Sequence, residues 1–523
     1  MAQGSLRDQP HRVTAVESAF PALGESRHRI AFVLGCLAVT AGVLLHLPMY
    51  WMGRGDGFRL AEMPMDAGML WGMAAILAGS LLAAWGLLPV ERWKADRVDV
   101  AVPDHPRLAR AHYALMVVLT TALVIDVMKP ASLGFVLPGL RAEYGLDALS
   151  VAWLPFAALC GTVLGSILWG VLADVFGRRS SILLSSVLFV GTSICGAMPS
   201  YAWNVAMCFL MGAAAGGMLP VTYALLAETM PARHRGWVLV LVGGLGSVGG
   251  YLVASLAAAW LEPTFSWRAL WFLNLPTGMA LIALSIFIPE SPRFLLRLGR
   301  REEARATLAR FGAVLREAAT DASQPAHSTP VPRALWPMTI ALSVCGLASG
   351  LINFGVLLWL PAHMVSLGHS LSWSSGLLAA SASMALPTVL AAAWLYGHWS
   401  SKRAILAALA LSAIGLGGVI HVAGDAGPTG WLVSVTLLII GTNAILAMLL
   451  PYAAESYPAA TRGRAVGWIA ACTKLGGPLS QGLTLVGMVP ALGSAALVTA
   501  VTTLAAIALI TAFCIETRNQ ELL

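Results

Sequence analysis

The chain is built almost entirely from apolar runs about twenty residues long, separated by short polar loops, and that spacing confines it to one environment. A hydrocarbon core about 30 Å thick offers no water to a backbone N–H or C=O, so a crossing segment must close its hydrogen bonds internally; a helix of roughly 20 residues does so. Runs of this length fall at approximately 30–49, 69–90, 113–140, 151–172, 180–198, 205–227, 237–261, 267–288, 338–364, 373–396, 404–422, 431–454, 465–486 and 492–514. They predict an all-α membrane protein of about fourteen transmembrane helices. Only 11% of the residues are charged, against about 25% in soluble globular chains, which excludes a single water-soluble core.

Lys and Arg collect in alternate loops. Arg7, Arg12, Arg27 and Arg29 precede the first run, and Arg92, Lys94, Arg97, Arg107 and Arg110 follow the second. Thereafter Arg178–Arg179, Arg233 with Arg235, Lys402–Arg403, and Arg462 with Arg464 occupy every other loop. Short positive loops stay on the cytoplasmic side, so both termini are expected there, in a bacterial-type inner membrane. The net charge of +7 is then a property of loops facing lipid headgroups, and no nucleic-acid partner is expected. The seven cysteines form no Cys-x-x-Cys pair and lie almost all inside apolar runs, which argues against a metal site or a disulfide framework.

One long polar interval divides the chain. Its first part, Ser291 to about Ala319, reads as a basic amphipathic helix suited to an anionic leaflet; its second, Asp321 to Pro332, reads as a tether. The expected organisation is a cytoplasmic tail (1–29), an extra transmembrane hairpin and linker (30–110), a six-helix bundle (111–288), a central cytoplasmic loop (289–337), a second six-helix bundle (338–514) and a short tail (515–523).

The two bundles repeat one another. Glu228-Thr-Met-Pro-Ala-Arg-His-Arg235-Gly236 recurs as Glu455-Ser-Tyr-Pro-Ala-Ala-Thr-Arg462-Gly463, a shift of 455 − 228 = 227 residues. A fainter echo sets Gly170-Val-Leu-Ala-Asp174-Val-Phe-Gly177-Arg178-Arg179 against Trp394-Leu-Tyr-Gly-His398-Trp-Ser-Ser-Lys402-Arg403, keeping the basic pair but losing the acid. Parallel six-helix halves place a midplane site between two similar bundles, where it opens alternately to each side.

These motifs, with Pro289-Glu290-Ser291-Pro292-Arg293 after the sixth core run, resemble the major facilitator superfamily over about 113–514, nearest its sugar-porter, aromatic-acid and organic-ion branches. The resemblance implies the major facilitator fold, here with an extra amino-terminal hairpin, and alternating access. It also implies that Asp174, Arg178, Arg179, Glu228, Arg235, Glu290, Arg293, Glu455 and Arg462 form a cytoplasmic salt-bridge network that closes the inner gate.

An ionisable residue inside a span is costly unless paired or facing a cavity, so Asp126, Lys129 and Lys474 are candidates for substrate binding or coupling. Asp126 and Lys129 lie three residues apart and are placed to neutralise each other. The stretch from Asp126 to Pro138 resembles the aromatic-acid symporter pattern Asp-Gly-x-Asp, with Lys129 in place of the second acid. Cys208 likewise replaces the Arg of the family's fourth-helix Arg-x3-Gly motif. Both groups tied to proton symport in those relatives are thus absent, and proton coupling rests on Asp126. Lys474 sits where organic-anion members resemble one another in carrying a cation. Phe135, Asn353, Phe354, Asn443 and Gln481 are further candidates to line the cavity.

No His-Glu-x-x-His, no Gly-x4-Gly-Lys-Ser/Thr and no nucleophile triad is found, so an enzyme is not expected, nor a cofactor or metal. The extra helices precede the core, unlike those of fourteen-helix drug exporters. The expectation is a monomeric secondary transporter for a small organic anion, aromatic or another carboxylate, with protons as candidate coupling ions. A sugar or zwitterion carrier and a non-transporting nutrient sensor are the alternatives.

Overall fold

The computed structural model describes residues 26–88, 108–314, 333–425, 427–457, 459–487 and 492–517. The tail before Ser26, the basic linker before Leu108, the tether and the final residues lie outside them. Thirteen helices among the described residues are long and apolar enough to cross a membrane. They are α1 (Arg27–Asp56), α2 (Ala67–Leu87), α3 (Arg110–Tyr144), α4 (Leu149–Ala173), α5 (Arg178–Ala197), α6 (Tyr201–Thr229), α7 (Arg233–Phe265), α8 (Ala269–Phe287), α9 (Arg333–Ser366), α10 (Leu371–Trp399), α11 (Ser401–Val422), α12 (Thr429–Ser456) and α14 (Leu492–Phe513). The expected fourteenth, α13 (Ala459–Leu485), is a 27-residue helix. It is less apolar than the rest because it carries Lys474, Gln481 and several hydroxyl residues.

Helix starts at one end of the molecule are set by side-chain caps. The backbone N–H of Met69 donates to Asp66 Oδ1 at 2.7 Å, that of Ser150 to Asp147 Oδ1 at 2.7 Å, and that of Trp373 to Ser370 Oγ at 3.1 Å. Each satisfies an N–H that the first helical turn leaves open.

The helix pairings repeat as the sequence does. In the first half α3 packs on α7, α4 on α6 and α5 on α8; in the second α9 packs on α13, α10 on α12 and α11 on α14. The halves meet through α4 with α13 and α7 with α10, again a symmetric pair of contacts. Small residues set the closeness of approach: a Cβ on Gly161 would lie 2.1 Å from Phe209 O, and one on Gly476 2.6 Å from Gly350 C. Without a hydrophobic drive between helices in lipid, such backbone contact supplies much of the packing attraction.

The amino-terminal hairpin α1–α2 is zipped by the same means. A Cβ on Gly35 would sit 2.6 Å from Gly79 O, and one on Gly42 2.6 Å from Gly72 O. The hairpin rests on α5 and is tied to the first half at the end opposite the Arg-rich loops. Tyr50 donates to Phe265 O at 2.6 Å, and the backbone N–H groups of Leu60 and Ala61 donate to Glu143 Oε1 at 2.7 and 3.0 Å. Glu143 also pairs with Arg268 at 2.6 Å; this guanidinium is fully buried and donates further to Gly196 O, Met198 O and Tyr144 Oη.

The polar interval after α8 differs from the single amphipathic helix expected from the sequence. It forms two short helices, Pro292–Arg297 and Arg301–Arg310. Gly299 turns between them at φ +75°, a left-handed conformation that ends a helix. The fold-back buries Leu295 and Leu296 against Ala304, so the apolar face is spent on the protein itself.

Candidate functional site

A cavity of about 150 Å³ lies between the halves, walled by α3, α4, α6 and α7 on one side and by α9, α12 and α13 on the other. Its lining is mostly apolar, with Pro130, Phe135, Phe354, Leu357 and Ile439 among the contributors. Among the described residues, Asp126 and Lys474 are the only charged ones that line it, and each lies in the electrostatic field of the other. Of the sequence-predicted candidates, Asp126, Phe135, Asn353, Phe354, Asn443 and Lys474 line this cavity.

Lys474, on α13, crosses the divide: its ammonium donates to Ser166 Oγ on α4 and to Gly216 O on α6. Gly216 lies where α6 breaks, between helical segments Tyr201–Ala215 and Met218–Thr229. The break is wedged onto α4, since a Cβ at Gly217 would lie 2.1 Å from Trp169 Cβ. A carbonyl at the end of a helical segment carries partial negative charge and lacks an intrahelical donor, so it is a natural seat for a cation. On the facing wall α9 widens into a π-turn, Ile352–Leu357, a distortion often found at functional sites, and Asn353 sits in its first turn.

Lys129 and Gln481 lie elsewhere. The Lys129 side chain is buried inside the first half, with its Nζ 2.6 Å from the centroid of the Phe189 ring and no hydrogen-bond partner among the described residues. Among the described residues it makes no direct ion pair with Asp126, yet each lies in the other's electrostatic field, as their spacing leads one to expect; Pro130 follows it, and the two side chains diverge, one to the cavity and one to the bundle core. Cys195 is its other close electrostatic neighbour, and Cys208 packs against that same cysteine. The two departures from the symporter pattern thus occupy one spot. Gln481 holds the cavity wall from behind, donating to Phe354 O at 2.7 Å and accepting from Trp359 Nε1 at 3.1 Å.

At the Arg-rich end the predicted gate residues form a network. Arg178 pairs with Glu228 at 3.2 Å, and Ser291 donates its hydroxyl to the same carboxylate. Glu290 Oε1 accepts the backbone N–H groups of Arg178 at 2.8 Å, Arg179 at 3.4 Å and Ser291 at 2.8 Å. Gly177, at φ +99°, permits this approach, because a Cβ there would lie 2.6 Å from Glu290 Oε2. Burial pushes the Glu290 carboxyl above the usual range, against the opposing pull of those N–H donors. Glu455 accepts from Tyr396 Oη and Thr517 Oγ1, both at 2.8 Å, and lies in the field of Arg235 from the other half. Arg293 is exposed and stands outside the network, while the side chains of Asp174 and Arg462 lie outside the described residues.

Two features escaped the sequence reading. Glu516 mirrors Glu290, accepting from Ser401 N at 2.9 Å and from the Ser400 and Ser401 hydroxyls. Its signal was present: Glu290-Ser291 and Glu516-Thr517 are offset by 516 − 290 = 226 residues, one short of the main repeat. The Glu143–Arg268 centre has no such signal, being a lone acid and a lone base 125 positions apart.

Comparison with known proteins agrees with this architecture. The chain is 26% identical to the niacin transporter NiaP of Acinetobacter baylyi over 386 residues, covering 71% of this chain and 86% of that one. It is 26% identical to the 4-hydroxybenzoate transporter PcaK of the same organism, covering 72% and 84%. Among solved structures, the partially occluded, inward-open xylose transporter XylE from E. coli superposes with a TM-score of 0.63 at 17% identity, covering 79% of this chain and all of that one. Residues 115–481 match the family model of the Major Facilitator Superfamily. An interbundle cavity, a polar node built twice on one repeat and a match across most of the chain make this integral membrane protein a transporter of the major facilitator superfamily.

Proposed function

We propose that this transporter carries a small aromatic carboxylate across a bacterial inner membrane, acting as a monomer with both termini cytoplasmic. The observation that carries the reading is the cavity: an apolar chamber of about 150 Å³ with Lys474 as its one lining cation. A dry cavity of about that volume holds one benzene ring, and a carboxylate on the ring finds a charge-assisted partner in the ammonium. That ammonium donates to Gly216 O and Ser166 Oγ, and a carboxylate competes with them for it. The names of the NiaP and PcaK relatives, each a transporter of an aromatic acid or its close kin, support the same class.

Proton coupling falls to Asp126, which faces the cavity. Uptake of radiolabelled 4-hydroxybenzoate into proteoliposomes, with and without an imposed inward acid gradient, tests both parts. Lys474→Ala is expected to lower uptake at least tenfold, and intact uptake would remove the anion site. Asp126→Asn is expected to abolish the response to the gradient while preserving substrate exchange. A wild-type protein indifferent to the gradient would remove the coupling claim.

A further inference from the structure

Beyond the carboxylate, the cavity carries information about the rest of the ligand. Asn353 donates its Nδ2 to Ser349 O at 2.9 Å and to Thr442 Oγ1 at 3.1 Å, and Asn443 donates its Nδ2 to Ile439 O at 2.8 Å. Each amide is thereby oriented, since the reversed placement would set its oxygen against a carbonyl oxygen. Both Oδ1 atoms are left without a hydrogen bond among the described residues, on side chains that line the cavity. Asp126 adds a further acceptor on the facing wall. The lining donor of highest charge, Lys474, is reserved for the carboxylate in the proposed function, on which this inference rests. What remain are the Ser247 and Tyr251 hydroxyls, which donate or accept, beside three acceptor groups, and an acceptor in an apolar enclosure costs free energy until a donor meets it.

We infer that the transported carboxylate bears a hydrogen-bond donor, a ring O–H or N–H, on the side of the ring away from its carboxylate, and that Asn353 and Asn443 select for it. Such a site discriminates by leaving its own polar groups unpaired when the donor is missing. A ring that carries an acceptor against these two amides leaves both oxygens unpaired.

Four probes of similar size separate the possibilities: 4-hydroxybenzoate, benzoate, 4-methoxybenzoate and nicotinate, compared by ligand-induced thermal shift and by competition for uptake in proteoliposomes. The expected result is about tenfold tighter binding of 4-hydroxybenzoate than of the other three, the effect of roughly one net hydrogen bond. Equal binding of all four would overturn the donor requirement while leaving the carboxylate reading intact. Binding of none would instead overturn the carboxylate reading. Asn353→Leu and Asn443→Leu are each expected to shrink the ratio of 4-hydroxybenzoate to benzoate affinity at least threefold. An unchanged preference in both leucine variants would remove these residues as the selectors.

Discussion

The two halves build the same node at the Arg-rich end from different chemistry. In the first, Glu228 meets a guanidinium and a serine hydroxyl, Arg178 and Ser291, both from its own half or the loop attached to it. In the second, Glu455 meets two neutral hydroxyls, Tyr396 and Thr517, and its positive neighbour is Arg235, from the opposite half. Gly236 confirms the closeness: a Cβ there would lie 3.0 Å from Glu455 Oε1. The repeat has preserved the carboxylates, and it has not preserved the source of the counter-charge. One node is therefore an internal brace within a half, and the other is a clasp between the halves.

The largest expected effect comes from the helix cap beside the brace. Glu290→Ala leaves the N–H groups of Arg178 and Arg179 without their acceptor in a buried place, at a cost of about 2–3 kcal/mol, read as a fall in thermal midpoint in detergent; Glu516→Ala should cost about as much if the two caps are equivalent. For the clasp, Arg235→Gln should reduce uptake about tenfold, near 1.4 kcal/mol, with the thermal midpoint held within a degree or two. A midpoint loss as large as that of Glu290→Ala would erase the distinction. Tyr396→Phe removes one hydrogen bond to Glu455 and should cost about 1 kcal/mol, with little dependence on salt. Arg178→Gln should cost a similar amount in low salt and visibly less in high salt.

The smallest effect is one of pH. Because burial raises the Glu290 carboxyl in the folded protein, the folded state binds that proton more readily than the unfolded one, and stability from this group falls as pH rises above the ordinary carboxylate value of 4.5. Glu290→Gln should flatten that slope. Parallel pH profiles for the two proteins between pH 4.5 and 7 would show that the carboxylate is not the titrating group.

The architecture was legible because lipid leaves few choices. Span length, alternating loop charge and a repeat of 227 residues point to the helices and to their division into two similar halves. The cavity was readable in part for the same reason: Asp126 and Lys474 are tolerated inside a span only where they face a chamber. Lys129 follows the same rule of cost yet points the other way, into the ring of Phe189, sixty residues further along the chain. No local spacing reveals that partner. Gln481 looked like a cavity amide and proved to be a strut, since its neighbours come from a helix more than a hundred positions away. Glu516 was hidden by assigning everything past the last span to a tail, although it caps α11.

The anchoring of the amino-terminal hairpin has a mechanical consequence. Glu143 grips its outer turn while α5 supports its length, so the hairpin is welded to one half and makes that half an eight-helix body. For any rocking of one half against the other, viscous drag from the surrounding lipid grows with cross-section, so the lighter six-helix half is expected to take the larger angular excursion in the membrane frame.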